Sequence, residues 1–306
     1  MKSQPQHDQV AVKQASPVLL VTGASGFLGW HVTQLATRSW RVYGTWRSRS
    51  VALPGVTPVQ VDLTDFSAMK AVFQDLNPDA VIHLAAQSSA NLCEAQPEQT
   101  HTLNVTAAWN LAGLCADVAI PCAFTSTDLV FDGRHAPYQE TAPVSPLNRY
   151  GEQKVLAETG MLERYPQTAV CRMPLLFGDV PAHATSFLQP FIQTLREGKE
   201  LRLFVDEFRT PVSGATAAQG LLLALAKVQG RIHLGGKERL SRYEFGRLMG
   251  EILELPAAGI SPCYQQDVKM AAPRPADVSL DSSKAFSLGY QPLSIREELA
   301  ALKGQV

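Results

Sequence analysis

The chain has 306 residues, of which 45% are hydrophobic and 18% are charged, and its formal net charge is −1. That length suits one large α/β unit with an added lobe, or two modest domains. A charge so close to zero gives no reason to expect nucleic acid or an anionic membrane surface as a partner. No apolar run approaches the length that crosses a bilayer, so no membrane span is expected.

The first 16 residues are polar and rich in glutamine. They lack the apolar core and cleavage site of a secretory signal, and we expect a disordered lead-in there. The five cysteines are scattered along the chain and form no Cys-x-x-Cys pair. Such a set is typical of free thiols in a reducing compartment, which predicts a cytoplasmic protein.

Short apolar segments alternate with segments of helical spacing through the first half of the chain. Strands are predicted at residues 17–22, 41–46, 59–61, 79–84, 121–126 and 168–173. Helices are predicted between them at 26–38, 63–76, 97–118 and 148–164. This alternation predicts the α/β class, with a Rossmann-type doubly wound parallel sheet covered by helices on both faces.

After Pro174 the pattern becomes less regular. Helices are predicted at 187–197, 215–228 and 242–253, with a short strand at 231–234 and a proline-rich loop at 271–277. The expected organisation is a dinucleotide-binding domain at 17–174 followed by a smaller C-terminal substrate-binding lobe at 175–306. Some segments of that second part are expected to return to the sheet.

A glycine-rich turn joins the first predicted strand to the first predicted helix. Gly23 permits the tight turn, Gly26 lets the backbone approach a pyrophosphate, and Gly29 lets the helix pack on the strand. The start of the helix also offers unpaired N–H groups to phosphate oxygens. The turn predicts a nicotinamide dinucleotide site. Its expected contacts are Gly23, Ser25, Gly26, Phe27, Leu28 and Gly29, with Leu84, Ala85 and Ala86 after the fourth strand.

The end of the second predicted strand bears on the choice of cofactor. An acid there binds the ribose 2′-hydroxyl of NAD, whereas an arginine pairs with the 2′-phosphate of NADP. Arg47 and Arg49 occupy this stretch without an acid, so NADP(H) is the expected cofactor and NAD(H) the alternative. The arginines would also suit a solvated loop. Asp62 and Leu63 are expected beside the adenine, with a helix cap before Thr64 as the other role of Asp62.

Tyr150 and Lys154 are four residues apart in a predicted helix and therefore share one face. An ammonium near a phenol favours the phenolate, so we expect a pKa of Tyr150 lowered toward neutrality. The same lysine can bind the nicotinamide ribose. A hydroxyl at the end of the fifth strand would hold the substrate oxygen, with Thr127 as first candidate and Ser126 as second. The alternative is that Tyr150 and Lys154 are a surface pair without function.

Five stretches of the chain resemble the extended short-chain dehydrogenases/reductases, and more narrowly the dTDP-4-dehydrorhamnose reductase family. They are residues 22–29, 81–86, 126–133, 145–154 and 274–281, and the likeness extends over about residues 17 to 290. The first two are common to extended members. The Thr-Asp-x-Val-Phe-Asp-Gly stretch, the Pro-Leu-Asn before Tyr150 and the Arg-Pro to Leu-Asp segment are more specific to this branch.

The resemblance implies an NADPH-dependent oxidoreductase that converts dTDP-4-dehydro-L-rhamnose to dTDP-L-rhamnose. Tyr150 would protonate the C4 oxygen of the keto sugar while hydride is delivered to C4. The implied catalytic residues are Thr127, Tyr150 and Lys154. The implied contacts of the nucleotide-sugar are Gln87, Asp128, Arg209 and Arg274. For the two arginines, pairing with carboxylates between the lobes is the alternative role.

Two positions depart from the family pattern: Leu129 stands where tyrosine is usual, and Gln153 where threonine is favoured. The likeness also extends to the regulatory β subunit of methionine adenosyltransferase, which residues 172–179 resemble. A non-catalytic, NADP-binding regulatory role is therefore the main alternative. A 4,6-dehydratase is disfavoured because Leu129 follows Asp128 where that chemistry needs an acid. An epimerase that uses Tyr150 and Lys154 with tightly held NAD stays open.

The expected partners follow from these features. They are a nucleotide-sugar substrate and, in one candidate assembly, a second copy of the chain in a homodimer; neither nucleic acid nor a membrane is expected. His83 and His101 have no ligand-spaced cluster around them, so no metal site is predicted.

Overall fold

The computed structural model describes residues 16–48, 51–180, 184 and 186–306. The predictions made for residues 1–15 and for Arg49 lie outside these ranges. Within them the strands are β1 (Val18–Thr22), β2 (Arg41–Trp46), β3 (Val56–Gln60), β4 (Ala80–His83), β5 (Cys122–Thr127), β6 (Ala169–Met173), β7 (Leu176–Phe177), β8 (Leu201–Phe204), β9 (Phe208–Arg209), β10 (Val212–Ser213), β11 (Gly230–His233), β12 (Leu240–Ser241) and β13 (Ile260–Cys263).

The helices surround and connect these strands. They are α1 (Phe27–Ala36), α2 (Phe66–Leu76), α3 (Ala90–Ala95), α4 (Pro97–His101), α5 (Ala107–Asp117), α6 (Arg149–Arg164), α7 (Leu188–Arg196), α8 (Gly214–Lys227), α9 (Arg242–Ile252), α10 (Ser283–Ser287) and α11 (Ile295–Ala300). A π-helical turn, Thr102–Thr106, joins α4 to α5, and 3-10 turns lie at Asp128–Val130, Ala257–Gly259 and Gln265–Asp267.

A seven-stranded parallel sheet forms the centre, in the order β11-β6-β5-β4-β1-β2-β3. Every residue of β1, β4, β5 and β6 is buried, as expected where helices cover both faces of a parallel sheet. The predicted Rossmann-type α/β fold is thus confirmed. The order reverses between β1 and β4, which opens a crevice at the carboxyl ends of those strands.

Alternate residues of β1 belong to the two hydrophobic cores on opposite faces of the sheet. Leu19 and Val21 lie in one core with residues of α1 and α8. Leu20 lies in the other with residues of α2, α5 and α6. A third core, outside the sheet, is built by α7, α9, α11 and β8 and includes Phe245. Strand β11 returns from this later part of the chain to pair with β6.

Two predicted elements are present in a different form from the one that the sequence indicated. The third strand was expected at 59–61, whereas β3 is Val56–Gln60 and includes Pro58. That proline is tolerated because β3 is an edge strand that pairs with β2 alone, so its missing N–H breaks no ladder on the outer side. The helix expected at 97–118 is interrupted by the π-helical turn. The short helix α3 and the two-residue strands were not predicted.

The five cysteines are all buried and unpaired. Across the residues that the structure describes, no helix combines the length and apolar character needed to cross a bilayer.

A buried ion network ties α6 to the sheet behind the crevice. The guanidinium of Arg172 in β6 donates to Glu158 of α6 through Nε at 2.9 Å and Nη2 at 2.8 Å. Arg231 of β11 adds a third bond at 3.1 Å. Burial alone would raise the pKa of Glu158, but its bonds to Arg172 hold that pKa below the usual value. The carboxylate is therefore charged and fixed in place at neutral pH.

This network gives the first prediction. Glu158→Ala leaves the Arg172 guanidinium buried without its partner, and we expect the free energy of unfolding in urea to fall by about 3–5 kcal/mol. Glu163→Ala removes an exposed carboxylate from the same helix and should change the free energy of unfolding by about 0.5 kcal/mol or less. Equal effects of the two substitutions would contradict the importance of the buried network.

Candidate functional site

The three glycines of the turn between β1 and α1 meet different constraints. Gly23 has a positive φ of +67°, and a Cβ added there would lie 2.8 Å from the backbone nitrogen of Ala85. A Cβ added at Gly29 would lie 2.2 Å from the carbonyl oxygen of Gly23, so α1 packs directly on the turn. At Gly26 that same oxygen, 3.4 Å away, is the nearest atom. The turn therefore has no room for a side chain at Gly23 or Gly29, whereas Gly26 has no backbone atom closer than 3.4 Å to an added Cβ.

The side chain of Thr22 fixes the two strands that border the crevice. Its Oγ1 lies 2.6 Å from Nδ1 of His83 and accepts hydrogen bonds from the N–H groups of Leu84 at 3.1 Å and Ala85 at 3.3 Å. His83 is fully buried, and this burial lowers its pKa to about 3. The imidazole is thus neutral, and the Thr22 hydroxyl joins the ends of β1 and β4.

A cavity of about 640 Å³ opens from this crevice toward the later part of the chain. The predicted cofactor contacts all line it: Gly23, Ser25, Gly26, Phe27, Leu28, Gly29, Arg47, Asp62, Leu63, Leu84, Ala85, Ala86, Tyr150 and Lys154. Thr127, Asp128, Arg209 and Arg274 line the same cavity. The structure therefore brings together residues that are up to about 250 positions apart in the chain.

Gln87 is placed differently from the other expected substrate contacts, since Ser88 rather than Gln87 lines the cavity. The N–H of Gln87 donates to Oδ1 of Asn104 at 2.8 Å, and its carbonyl accepts from Nδ2 of Asn104 at 3.1 Å. Its side-chain oxygen accepts from the N–H of Ser89. In this conformation Gln87 holds the loop after β4.

Asp62 is also engaged locally, although it lies at the cavity. Its Oδ1 accepts from the N–H of Thr64 at 2.9 Å and from the Thr64 hydroxyl at 2.7 Å. The helix that follows is capped by Asp65, whose side chain accepts from the N–H of Ala68. The alternative role of Asp62 as a helix cap is therefore wrong, because the cap lies three residues later.

The start of α6 places Tyr150 over the end of β5. The side chain of Asn148 caps the helix by accepting from the N–H of Gly151 at 2.9 Å, and its amide donates to the carbonyl of Pro273 at 3.0 Å. A Cβ added at Gly151 would lie 2.3 Å from the carbonyl oxygen of Leu129. The helix can therefore approach the turn after Thr127 only with glycine beside Tyr150.

Lys154 lies one helical turn beyond Tyr150, at the floor of the cavity. It is 2% exposed, and its Nζ donates to the carbonyl oxygen of Thr125 at 2.8 Å. Burial lowers the pKa of Lys154 to about 8, although the nearby Glu158 carboxylate raises it. The side chain is thus held in one position and carries a proton over most of the neutral range.

The expected lowering of the Tyr150 pKa is wrong for the protein in this state. Tyr150 is packed among Ala90, Cys93 and Ala272, and burial raises the pKa of its phenol above the usual value. The Lys154 ammonium lies 5.9 Å from the centre of the tyrosine ring and donates to a backbone carbonyl instead. Desolvation therefore outweighs the lysine, and the phenol keeps its proton.

Asp128 and Arg209 form a buried ion pair across the cavity wall. Oδ1 of Asp128 lies 2.9 Å from Nη1 of Arg209, and Arg209 also reaches Glu207 at 3.2 Å. Glu207 in turn pairs with Nε of Arg242 at 3.0 Å. Burial alone would raise the pKa of Glu207, but the surrounding arginines hold it at about 2. Arg209 thus has the carboxylate-pairing role between the two parts of the chain.

Arg274 and Arg242 complete this side of the cavity. Arg274 is half-buried, lines the cavity and contributes to the low pKa of Glu207. Arg242 is the first residue of α9 and also lines the cavity, but sequence reasoning missed it. Its neighbour Ser241 caps the helix, which is a signal for a helix start and not for a ligand.

The two departures from the family pattern have different surroundings. Leu129 packs beside Tyr150 and lines the cavity. Gln153 is buried within a polar network: its oxygen accepts from Nδ2 of Asn104 at 2.8 Å, and its amide donates to Oγ1 of Thr100 at 2.9 Å. Leu129 thus changes the cavity wall, whereas Gln153 secures the π-helical segment against α6.

Among the described residues, no group of three or more histidine, cysteine, aspartate and glutamate side chains has an arrangement suited to a metal ion.

The sheet order, the glycine turn and the Tyr150–Lys154 placement define a protein with the fold of the extended short-chain dehydrogenases/reductases. The profile of the RmlD substrate-binding domain family matches residues 18–305. The chain therefore belongs to this family.

Sequence relatives include proteins of two kinds. Methionine adenosyltransferase 2 subunit beta of Xenopus laevis is 35% identical over 279 residues, which cover 88% of this chain and 82% of that protein. A probable low-salt glycan biosynthesis reductase of Haloferax volcanii is 31% identical over 290 residues, which cover 92% of this chain and 96% of that protein.

Solved structures support the same fold. A hypothetical dTDP-4-dehydrorhamnose reductase from Sulfolobus tokodaii is 29% identical, with a TM-score of 0.80 over 90% of this chain and 97% of that one. The dTDP-4-dehydrorhamnose reductase of Bacillus anthracis, solved in complex with NADP, has a TM-score of 0.83 over 94% and 98% of the two chains. At 22% identity, the latter likeness concerns the fold alone.

The geometry of the glycine turn gives the second prediction. Gly29→Val forces a side chain against the Gly23 carbonyl, and we expect the free energy of unfolding to fall by about 3 kcal/mol. Gly26→Val places its Cβ only in van der Waals contact with the Gly23 carbonyl oxygen, at 3.4 Å, on an extended backbone (φ −83°, ψ 174°), so its cost should be about 1 kcal/mol. Urea denaturation of both variants measures the difference, and a larger loss at Gly26 would contradict the packing described.

Proposed function

We propose that this protein is an NAD(P)H-dependent reductase of a 4-keto nucleotide-sugar. One observation carries the proposal: a single cavity is lined by the glycine turn at one end and by Thr127, Tyr150 and Lys154 further in. A dinucleotide lying across the turn would extend toward these three side chains. The proposed division of the chain assigns the sheet to the cofactor and the part after residue 174 mostly to the sugar nucleotide.

The chain's own residues suit a dinucleotide. The space at Gly26 admits a pyrophosphate, and the N–H groups of the first turn of α1 have no partners within the helix. Arg47 is exposed at the ribose end of the cavity, where its charge suits the 2′-phosphate of NADP. When bound, this cofactor supplies hydride to the substrate carbonyl carbon.

The state of Tyr150 suits an acid in the reducing direction. Because burial keeps its phenol protonated, it can donate a proton to a carbonyl oxygen as that oxygen gains negative charge. Thr127 lies at the end of β5 with its hydroxyl directed to Oδ1 of Asp128 at 3.2 Å, and it would orient the carbonyl. The charge of Lys154, 5.9 Å from the centre of the tyrosine ring, would favour the phenolate that remains, and its ammonium would hold the nicotinamide ribose.

The charges of the wall opposite the turn favour an anionic substrate. Asp128 and Glu207 compensate two of the three arginines there, so Arg274 leaves a net positive charge facing the cavity. A nucleotide diphosphate has the opposite charge. For the sugar we propose dTDP-4-dehydro-L-rhamnose or a close 4-keto analogue, following the family resemblance, in a site where Leu129 offers an apolar contact.

The third prediction concerns the cofactor. NADPH should bind more tightly than NADH, and Arg47→Ala should narrow that difference because it removes the charge that pairs with the 2′-phosphate. Fluorescence titration with both cofactors measures this. Gly26→Val, which should fold, supplies the variant expected to lose binding altogether. Equal affinities of the wild type for NADPH and NADH would refute the role of Arg47.

The fourth prediction concerns the proton donor. Tyr150→Phe removes only the hydroxyl, so folding and NADPH affinity should hardly change while turnover of a 4-keto nucleotide-sugar falls about 10²-fold or more. Lys154→Met should weaken both turnover and NADPH binding, since the lysine has two tasks. Steady-state kinetics by NADPH oxidation, across a panel of keto sugars, provides the measurement. Unchanged turnover in Tyr150→Phe would exclude this residue as the acid.

A second candidate is a non-catalytic, NADP-binding regulatory subunit. The observation that favours it is the 35% identity with methionine adenosyltransferase 2 subunit beta. In that case no keto sugar would drive NADPH oxidation, and the chain would bind a methionine adenosyltransferase catalytic subunit. A pull-down between this protein and a purified methionine adenosyltransferase catalytic subunit, carried out beside the substrate screen, distinguishes the two candidate functions. If the chain binds the catalytic subunit and no keto sugar drives NADPH oxidation, the regulatory role replaces the reductase proposal. If a keto sugar is turned over and the catalytic subunit is not bound, the reductase proposal is supported.

A further inference from the structure

The side chain of Phe124 lies directly beneath the ammonium of Lys154. Its strand, β5, ends at Thr127, and its ring is 1% exposed. Nζ of Lys154 is 4.5 Å from the centre of the ring, nearer than the 5.9 Å to the ring of Tyr150. The aromatic neighbour that contacts the ammonium is thus a residue of the sheet, and not the tyrosine that shares its helix.

The sheet fixes this ring from behind. His83 and Phe124 are direct partners in the parallel pairing of β4 with β5, so their side chains point to the same face. Their rings are stacked, with centroids 5.6 Å apart and planes at 24°. Because His83 is anchored to Thr22 through Nδ1, the ring of Phe124 is held in a fixed position beneath the Lys154 ammonium.

An aromatic face attracts a cation through its negative quadrupole, and the attraction is stronger where water is excluded. Lys154 is buried, and its Nζ also donates to the carbonyl oxygen of Thr125. We propose that Phe124 is a positioning residue, whose ring holds the Lys154 ammonium in place and favours its charged form. The inference rests on the proposed function in one respect, that Lys154 binds the cofactor ribose.

The other titratable groups that face Lys154 keep one protonation state near neutral pH, so a change of charge there belongs to Lys154. Burial lowers the pKa of His83 to about 3 and raises those of Tyr150 and the Cys93 thiol. Glu158 has a lowered pKa and stays charged. Lys154, with its pKa of about 8, is protonated below that pH and loses its charge above it. NADPH affinity should therefore fall as the pH rises through about 8.

The fifth prediction follows. Phe124→Leu and Phe124→Met remove the ring face, so the pKa of Lys154 should fall further, by about one pH unit or a tenfold change in its protonation equilibrium. The pH at which NADPH affinity is lost should move down by the same amount. Phe245→Leu, which truncates an equally buried ring in the third core, should lower stability without moving that pH.

Two separate measurements make the test of Phe124 independent of the reductase proposal. The carbon-13 shift of the Lys154 Cε in lysine-labelled protein, assigned by its absence in Lys154→Met, reports the lysine pKa without cofactor. Fluorescence titration reports NADPH affinity against pH. A pKa of Lys154 that is unchanged in both folded Phe124 variants overturns the inference. A shifted pKa in a protein that never binds NADPH supports the role of Phe124 and contradicts the proposed function instead.

Discussion

The hydroxyl of Thr22 makes the contact on which the rest of the site depends. It joins β1 to β4 where the order of the sheet reverses, and it engages His83 and the first N–H groups after β4. The glycine turn follows Thr22 on one side of the crevice, and Ala85 lies against Gly23 on the other. His83, fixed by this contact, stacks on Phe124, and the ring of Phe124 lies beneath the ammonium of Lys154.

Electrostatics divides the site into two regions. Around Tyr150 and Lys154 desolvation is the largest influence on both pKa values: it keeps the phenol protonated and makes the ammonium easier to neutralise. On the opposite wall the charges are dense: Asp128 and Glu207 pair with Arg209 and Arg242, and Arg274 adds a net positive charge. Chemistry on a neutral carbonyl suits the first region, and recognition of an anionic substrate suits the second.

The sequence predicted the sheet and the residues around the cavity because both follow from local patterns: apolar runs, a glycine turn and a tyrosine–lysine spacing. It did not predict features that depend on tertiary contact. The prediction of a lowered Tyr150 pKa was wrong because the spacing of Tyr150 and Lys154 does not reveal Ala90 and Ala272, which desolvate the phenol. Arg242 was missed because its cavity position is set by the pairing with Glu207. Pro58 hid the first residues of the edge strand β3, of which only the end was predicted.

The placement of β11 has a consequence for how the chain is assembled during synthesis. The strand that covers the outer edge of β6 begins at Gly230, 57 residues after β6 ends at Met173. Until those residues leave the ribosome, the backbone of β6 presents an unpaired parallel edge, and the core that needs α8 is open on one side. Such exposed edges attract other chains. The nascent protein therefore passes through an aggregation-sensitive interval that ends only when the later part of the chain has folded back onto the sheet.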